Sequence, residues 1–375
     1  MHLNGFLEPG EPDTPKIPLR LAFCESCKLV QTQHEVSVDT HFRRYYYKSG
    51  ISDSMRVALA DVVAGAQARI DLRHGDVVVD IGSNDSTLLE SWSPDLIRIG
   101  FEPATNLMEE ARKPEMTIVN NYWSLEGLRE VTGRKPLVIT AIACFYSVPD
   151  PNQFVADLRS AIADRGIICI QLMDLNSMMV NADIGNLTPE HVCHYSLTAL
   201  KALFDRAGLG IFDVEFNDVN GGSMRVWASP AERPKNFRVL QQLTVERDGA
   251  AKPHSWAAFA ARVDEIKGRV REYVSNNSDV WLYAASTKAN LLVDYWGLSR
   301  EEIRGAADRD PRKRGLEMAG GRIPIRSEED ARRLAKHFLV GAYAFRNEFI
   351  RRESEWMGRG GKMIFPMPKW EVVGA

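Results

Sequence analysis

The stretch Val77–Glu90 constrains the fold of this chain more than any other part of the sequence. It begins with the β-branched run Val77–Val79, passes through an acid, a glycine and small polar residues, and ends in a helix-like Leu-Leu-Glu. This order is typical of a buried parallel strand that enters a tight turn and then a helix. A second strand-like run, Ile97–Phe101, ends at Glu102. In doubly wound sheets, ligands bind where such strands end, and an acid after the second strand binds ribose hydroxyls.

The turn after the first strand contains one glycine, Gly82, and not the three glycines of the dinucleotide fingerprint. An acid followed by a single glycine resembles the first motif of S-adenosylmethionine-dependent methyltransferases. By this resemblance, the turn would bind the methionine part and Glu102 the ribose, while the exit of a later strand would contact adenine and sulfonium. The alternative is a structural strand-turn-helix without a ligand. The predicted cofactor-binding residues are Asp80, Gly82, Ser83, Asn84, Glu102, Pro103, Ala143 and Tyr146.

Composition and charge narrow the class of protein. A chain of 375 residues with 45% hydrophobic and 26% charged residues predicts a soluble globular protein of two or three domains. The net charge of −3 argues against nucleic-acid or anionic-lipid partners. No apolar run approaches the roughly 18 residues that span a bilayer, and the N-terminus does not resemble a signal peptide. We therefore expect a cytoplasmic monomer or homodimer whose partner is a small molecule.

The strand and helix signals divide the chain into four parts. Residues 1–60 predict an irregular N-terminal segment, 61–230 a methyltransferase domain, 231–278 a helical connector and 279–375 a second domain. The predicted fold class is α/β: a class I methyltransferase Rossmann-like domain plus a C-terminal Rossmann-like domain. Strands are predicted at Val77–Ile81, Ile97–Phe101, Leu137–Ile142, Gly166–Leu172, Ile211–Phe216, Ser223–Ala228 and Val280–Ala285.

A series of motifs extends along most of the chain. They are Pro18–Cys24, Glu190-His191, Tyr195–Leu197, Asn220–Ser223 with Arg225, Ser286–Lys288 with Asn290, Ala307–Arg309, Ile323–Ile325 and Arg359–Lys362. In this order and spacing they resemble the nucleotide-sugar C-methyltransferase family, whose members methylate deoxysugars. The resemblance implies a zinc-binding N-terminal segment and methyl transfer from S-adenosylmethionine to a carbon of a nucleotide-linked keto-deoxysugar.

Methylation at carbon requires a base, because the carbon beside a ketone becomes nucleophilic only after it loses a proton. Histidine suits this step, since its ordinary pKa lies near neutral pH. The resemblance implies that His191 is the base, that Glu190 orients it or binds the ketone oxygen, and that Tyr46 or Tyr47 hydrogen-bonds the enolate. The alternative for His191 is a loop histidine bonded to the backbone.

Thr188-Pro189 departs from the family, which has a tyrosine or cysteine and then a histidine before the Glu-His pair. This departure leaves two alternatives for the whole protein. One is methylation of a sugar hydroxyl on the same scaffold, and the other is a nucleotide-sugar-binding protein without turnover.

The second strand-to-helix turn carries a lysine, Lys288. Helix N-terminal amides beside a lysine can bind a diphosphate, so the turn is a candidate site for the sugar nucleotide. The alternative reading makes Lys288 a solvated residue at a helix start. The predicted substrate-binding residues are Asn220, Ser223, Arg225, Ser286, Lys288, Asn290 and Arg346.

Cys24 and Cys27 have the spacing of a zinc knuckle, but structural zinc needs four ligands. The earlier cysteine pair of the family is missing, and His34 and His41 are the nearest substitutes. The metal site is therefore predicted to be incomplete, either because this part is shortened relative to the family or because the site has been lost.

Overall fold

The computed structural model describes residues 5–34, 36–248 and 253–374, and two large β-sheets dominate it. The part that precedes the first sheet contains short elements. They are β1 (Phe6–Leu7), β2 (Leu21–Phe23), β3 (Val30–Thr32), α1 (Val38–Phe42) and α2 (Asp53–Gln67). Among the described residues, no helix is long and apolar enough to cross a membrane.

The first large sheet and its helices follow α2. In chain order they are β4 (Val77–Ile81), α3 (Thr87–Glu90), β5 (Ile97–Phe101), α4 (Met108–Ala111), β6 (Met116–Val119), α5 (Leu125–Val131), β7 (Val138–Ile142), α6 (Pro151–Ala161), β8 (Ile167–Met173), α7 (Leu175–Val180), β9 (Cys193–His194), α8 (Leu197–Arg206), β10 (Gly210–Asn217) and β11 (Ser223–Ser229). The strand β9 lies outside this sheet and pairs with β3.

The strand order of the first sheet is β10-β11-β8-β7-β4-β5-β6. The strands β4 to β8 are parallel, whereas β11 and β10 are antiparallel additions at one edge. All residues of β4 and β8 are buried, which explains why their sequences are apolar except for Asp80 and Gln171 and do not alternate. Because β4 has β5 on one side and β7 on the other, successive parallel strands are added first on one side of β4 and then on its other side. The carboxyl end of β4 is therefore the switch point where ligands bind in such sheets.

Two connector helices and the second sheet complete the chain. They are α9 (Phe237–Asp248), α10 (Pro253–Asn276), β12 (Val280–Tyr283), α11 (Thr287–Trp296), β13 (Ala306–Asp308), β14 (Glu317–Met318), β15 (Ile325–Ser327), α12 (Glu328–Leu334), β16 (His337–Val340), α13 (Arg346–Arg352), α14 (Ser354–Gly358), β17 (Lys362–Phe365) and β18 (Glu371–Val373). The strand order is β15-β13-β12-β16-β17-β18, and only β18 is antiparallel. The predicted α/β class with a second C-terminal α/β domain agrees with this architecture.

The N-terminal segment contacts both domains. The strand β1 pairs with β14 of the C-terminal domain. Further along, the backbone N–H groups of Ser49 and Gly50 donate to the side chains of Asn84 and Asp85, at 2.9 and 2.7 Å. These contacts lie at the end of β4, so the segment that the sequence predicted to be irregular helps to build the ligand-binding edge.

A buried glutamate holds three elements of the C-terminal domain together. Glu353, only 1% exposed, accepts two hydrogen bonds from Arg332, at 2.6 and 2.7 Å. It also accepts one from the hydroxyl of Tyr283, at 2.5 Å. Since these partners lie on α12 and β12, Glu353 fixes the helices against the sheet.

We expect Glu353→Ala to lower the free energy of unfolding by about 3 kcal/mol, because it removes the bidentate partner of Arg332, leaving only the longer contact to Glu328, and the buried acceptor of the Tyr283 hydroxyl. Urea unfolding followed by circular dichroism measures this. Glu355→Ala is the control, since Glu355 is exposed on the next turn and should change stability by less than about 0.5 kcal/mol. Equal effects of the two substitutions would contradict the role given to Glu353.

Candidate active site

The turn after β4 has the backbone shape of a ligand-binding turn. Gly82 has φ +71°, a conformation that other residues adopt only with strain. A Cβ at this position would lie 3.1 Å from Cβ of Cys144, so the turn and the exit of β7 approach closely. The N–H groups of Gly82 and Ser83 both donate to the carbonyl of Phe101, at 2.8 and 3.0 Å, which ties the turn to β5.

Glu102 follows β5 and faces the same turn. Its two carboxylate oxygens accept from the N–H groups of Asn84 and Ala104, both at 2.8 Å. The side chain is buried, and burial raises its pKa. Each oxygen keeps a further lone pair, and the buried hydroxyl of Ser83 has no hydrogen-bond partner among the described residues. These groups fit the ribose and methionine parts of S-adenosylmethionine, and Pro103 is half-buried beside them.

Asp80 lies beneath this turn at the end of β4. The hydroxyl of Thr140 donates to its carboxylate at 2.6 Å. Burial raises the pKa of Asp80 to about 7, and the charge of Glu102 acts in the same direction. A buried carboxyl of this kind is neutral below pH 7 and becomes ionised when a positively charged group binds nearby.

The exit of β7 forms the next wall of the site. Ala143 has φ +56°, and its N–H donates to the carbonyl of Gln171 at 2.8 Å. The ring of Tyr146 meets the imidazole of His191 edge-on, with 4.1 Å between ring centroids. The predicted base therefore lies directly against the predicted cofactor wall, although the two are separated by more than forty residues of sequence.

The imidazole of His191 is held in one tautomer. Its Nδ1 lies 2.8 Å from the carbonyl oxygen of Asn186. Because a carbonyl only accepts, Nδ1 carries the proton and Nε2 keeps its lone pair. Burial lowers the pKa of His191 to about 3, and the charges of His194, Lys288 and His41 act in the same direction. The ring is thus neutral at physiological pH, in the state that a base requires.

Thr188 and Pro189, which depart from the family pattern, lie in the same loop. Thr188 is fully buried, and its carbonyl accepts the N–H of His191 at 3.0 Å. Its hydroxyl has no hydrogen-bond partner among the described residues. Pro189 lies beside Leu19 and His34 of the N-terminal segment. The two residues therefore lie next to His191, and the backbone of Thr188 contacts the histidine directly.

The tyrosine run has alternating side-chain directions. The rings of Tyr45 and Tyr47 contact each other, with 6.5 Å between centroids, whereas Tyr46 packs against Phe6 at 5.4 Å. Burial and the negative charge of Glu190 raise the pKa of Tyr45. Burial and the charge of Asp85 raise the pKa of Tyr47 to about 12. The ring of Tyr46 therefore packs on the N-terminal strand, whereas Tyr45, which sequence reasoning did not select, lies within range of the charges of Glu190 and Glu102 and contacts the ring of Tyr47.

Several predicted substrate-binding side chains already have partners within the protein. Ser223 donates to the carbonyl of Val219 at 2.8 Å, and Ser286 caps α11 by accepting from the N–H of Ala289. The amide of Asn290 donates to the carbonyl of Gly5 and accepts from Gly320. The structure therefore gives Ser223, Ser286 and Asn290 clear roles in holding the backbone.

The predicted cationic residues are also paired. Arg225 donates to Gln171 at 2.7 Å and to Asp61 at 2.9 Å, and its side chain is buried. Arg346 makes a bidentate ion pair with Glu371, at 2.5 and 2.7 Å. Lys288 donates to Asp183 at 3.1 Å and to the carbonyl of Asn220 at 2.9 Å. Lys288 is thus a contact between the two domains and not a solvated helix-start residue.

The structure does not support the predicted zinc site. Cys24 and Cys27 lie on the turn between β2 and β3. The backbone N–H of Cys27 lowers the pKa of the Cys24 thiol. Within the described ranges, no three histidine, cysteine or acidic side chains are arranged to hold a metal. The donor set does not fit tetrahedral zinc, which requires four ligands.

The residues that sequence reasoning missed join elements far apart in the chain. Asp183 accepts from Lys288 and from Tyr343, and Cys144 packs under Gly82. No local pattern marks these residues, because their partners come from other domains or other strands. Tyr45 belongs to the run Tyr45–Tyr47, but the sequence of this run does not indicate the direction in which each ring points.

Comparison with known proteins agrees with this geometry. A family model described as a methyltransferase domain matches residues 54–214, and one described as a C-methyltransferase C-terminal domain matches residues 218–368. The C-methyltransferase NovU of Streptomyces niveus is 30% identical over 96% of this chain and 88% of its own length.

Among solved structures, the CurJ carbon methyltransferase has a TM-score of 0.38 at 14% identity, covering 49% of this chain and 57% of its own. Magnesium protoporphyrin IX methyltransferase of Synechocystis PCC 6803 has a TM-score of 0.37 at 15% identity, covering 46% and 82%. These scores are low, so no residue or substrate is transferred from either structure.

The fold, the turn after β4 and the matched methyltransferase domain define an S-adenosylmethionine-dependent methyltransferase. The chain belongs to the C-methyltransferase family represented by NovU.

We expect Gly82→Ala to weaken S-adenosylmethionine binding by at least about tenfold, because the added Cβ strains the turn and pushes against Cys144. Isothermal titration measures the affinity. Gly75→Ala is the matched control, since Gly75 also has a positive φ, of +79°, but lies on a turn outside the site. Unchanged affinity in Gly82→Ala would exclude the turn as the binding site.

The raised pKa of Asp80 predicts a pH-dependent stability in the ligand-free protein. The folded state keeps the proton up to about pH 7, whereas the unfolded chain loses it near pH 4. The contribution of Asp80 to the free energy of unfolding is therefore fully present below pH 4 and is lost as the pH rises towards 7. Relative to Asp80→Asn, the wild type should lose about 2 kcal/mol of unfolding free energy between pH 5 and pH 7. Urea titrations at both pH values test this, and parallel curves would contradict it.

Proposed function

We propose that this enzyme methylates a carbon beside the ketone of a nucleotide-linked keto-deoxysugar, with His191 as the base. The observation that carries the proposal is the position and state of His191. Its imidazole is neutral, protonated at Nδ1 and packed against Tyr146 at the cofactor wall. Family membership supports carbon as the acceptor. The resemblance of the whole motif series to the nucleotide-sugar C-methyltransferase family supports a sugar nucleotide as the substrate.

In the proposed reaction, Nε2 of His191 removes the proton beside the ketone. The C–H bond breaks, an N–H bond forms, and the electron pair moves into an enolate. When bound, S-adenosylmethionine would supply an electrophilic methyl group: the enolate carbon forms the new C–C bond as the methyl–sulfur bond breaks, and S-adenosylhomocysteine is the leaving group. Holding the base and both ligands in one cleft supplies much of the acceleration, because the reacting atoms are already close.

The buried groups around His191 fit the charges that this reaction develops. Burial disfavours a protonated His191, and the hydrogen bond to the carbonyl of Asn186 acts in the opposite direction. Tyr45 and Tyr47 have raised pKa values, so their hydroxyls stay protonated and can donate to the enolate oxygen. We therefore assign the hydrogen bond to the enolate to Tyr45 or Tyr47, and not to Tyr46.

The test is proton exchange in deuterated water with dTDP- and GDP-linked 4-keto-6-deoxy sugars. The wild type should exchange the proton beside the ketone, which mass spectrometry detects, and methylate the same carbon. His191→Asn should lower both rates by at least about 100-fold, because the base is absent. Binding of S-adenosylmethionine should be unchanged.

His74→Asn is the matched control, since His74 is exposed on a turn before β4. Full turnover in His191→Asn would remove this residue from the role of base. Methyl transfer without any exchange in the wild type would show that the acceptor is an oxygen and not a carbon.

A further inference from the structure

A short loop of the methyltransferase domain lies on the ligand-binding edge of the C-terminal domain. This loop, which we call the Asp183 loop, consists of Asp183–Asn186 and includes a single 3-10 turn. In the second sheet, β12 lies between β13 and β16, so the carboxyl ends of β12 and β16 form its switch point. Lys288 follows β12 and Tyr343 follows β16, and both contact the loop.

The contact centres on one buried carboxylate. Asp183 is fully buried and accepts four hydrogen bonds, all between 3.0 and 3.1 Å. Two come from within the loop, from the N–H of Gly185 and the side-chain amide of Asn186. The other two come from the C-terminal domain, from Lys288 and the hydroxyl of Tyr343. A buried anion needs such partners, because an unpaired charge in the interior is costly.

The loop fills the place where a sheet of this type would normally open to a ligand. A Cβ at Gly185 would lie 3.4 Å from Cβ of Lys288, so the backbone of the loop approaches the first turn of α11 closely. Lys288 also donates to the carbonyl of Asn220, and Tyr343 to that of Gly221. The switch point of the C-terminal domain is therefore occupied by two segments of the methyltransferase domain.

The same loop ends at the candidate base. The side chain of Asn186 donates to Asp183, while its backbone carbonyl accepts the Nδ1 proton of His191 at 2.8 Å. A continuous chain of hydrogen bonds thus runs from Lys288 and Tyr343 through Asp183 and Asn186 to His191. Its last bond determines which ring nitrogen is free to remove a proton.

We propose that the C-terminal domain positions the base: Lys288 and Tyr343 hold Asp183, which through Asn186 keeps Nε2 of His191 unprotonated and directed into the cleft. The inference rests on the proposed role of His191 as base. It assigns Lys288 to positioning in place of the diphosphate contact that the sequence suggested.

The first measurement is the tautomer of His191, read from its ring nitrogen shifts in protein labelled with ¹⁵N-histidine. The signal is assigned by its loss in His191→Asn. The wild type should show a proton on Nδ1 alone. In Lys288→Met and Asp183→Asn the loop loses its fixed position, so a mixture of tautomers should appear. Tyr343→Phe removes one hydroxyl, whose proton is shared between Asp183 and the carbonyl of Gly221, and keeps both charges, so it serves as a milder variant if either of these fails to fold.

The second measurement is steady-state kinetics on the sugar nucleotide that the exchange experiment identifies. Lys288→Met and Asp183→Asn should lower kcat by about 10- to 100-fold, because a displaced base no longer meets the substrate correctly. The KM for S-adenosylmethionine should stay within about threefold of the wild-type value, since a displaced base need not alter cofactor binding. Lys288→Arg should restore part of kcat, because it keeps a cation beside Asp183.

Arg332→Met is the matched control. It breaks another ion pair of the C-terminal domain with a buried glutamate, Glu353, away from the Asp183 loop. It should lower stability and leave the tautomer of His191 unchanged. A tautomer change in this control would mean that general destabilisation is sufficient, which would overturn the proposal.

The outcomes also distinguish the positioning role of the C-terminal domain from the proposed role of His191 as the base. An unchanged tautomer in both Lys288→Met and Asp183→Asn would overturn the positioning role, even if His191→Asn is inactive. A raised KM for the sugar nucleotide with an unchanged tautomer would make Lys288 a substrate ligand instead. A tautomer change together with full activity of His191→Asn would support positioning and remove His191 as the base.

Discussion

The buried carboxylate of Asp183 has its counter-charge in a different domain. Inside a protein, an ion pair of this kind is stable only while both members are present, because each alone would leave a charge without solvent. The loop that contacts His191 and the first turn of α11 are therefore linked by the charge of Lys288. The C-terminal domain thus contacts the loop that holds His191, and the carboxyl edge of its sheet faces the methyltransferase domain.

The part of the site nearest to β4 could be predicted from the sequence because its determinants are local. The apolar run, the acid, the glycine and the following helix signal are consecutive, and the predicted strands Val77–Ile81 and Ile97–Phe101 have those bounds in the structure. Since parallel strands place their carboxyl ends at one edge, Gly82 and Glu102 had to come together. Strand order then brings in Tyr146 from β7.

The rest of the site could not be predicted, because it depends on which distant groups meet. Lys288 has the sequence context of a phosphate ligand, but its ammonium group is used by Asp183 and Asn220. Asn290 lies in a family motif, yet its amide binds the backbone of Gly5 and Gly320. In the tyrosine run, the sequence shows three equivalent rings, and only tertiary packing separates Tyr45 and Tyr47 from Tyr46.

The N-terminal segment has a consequence for how ligands enter and leave. One end of it is a strand of the C-terminal domain's small sheet, through Phe6–Leu7, and the other end binds the turn at Asn84 and Asp85. A wide hinge motion between the two large domains would have to break one of these attachments. Exchange of product for substrate therefore breaks fewer contacts of the N-terminal segment if it proceeds through local movements of side chains and short loops around the cleft.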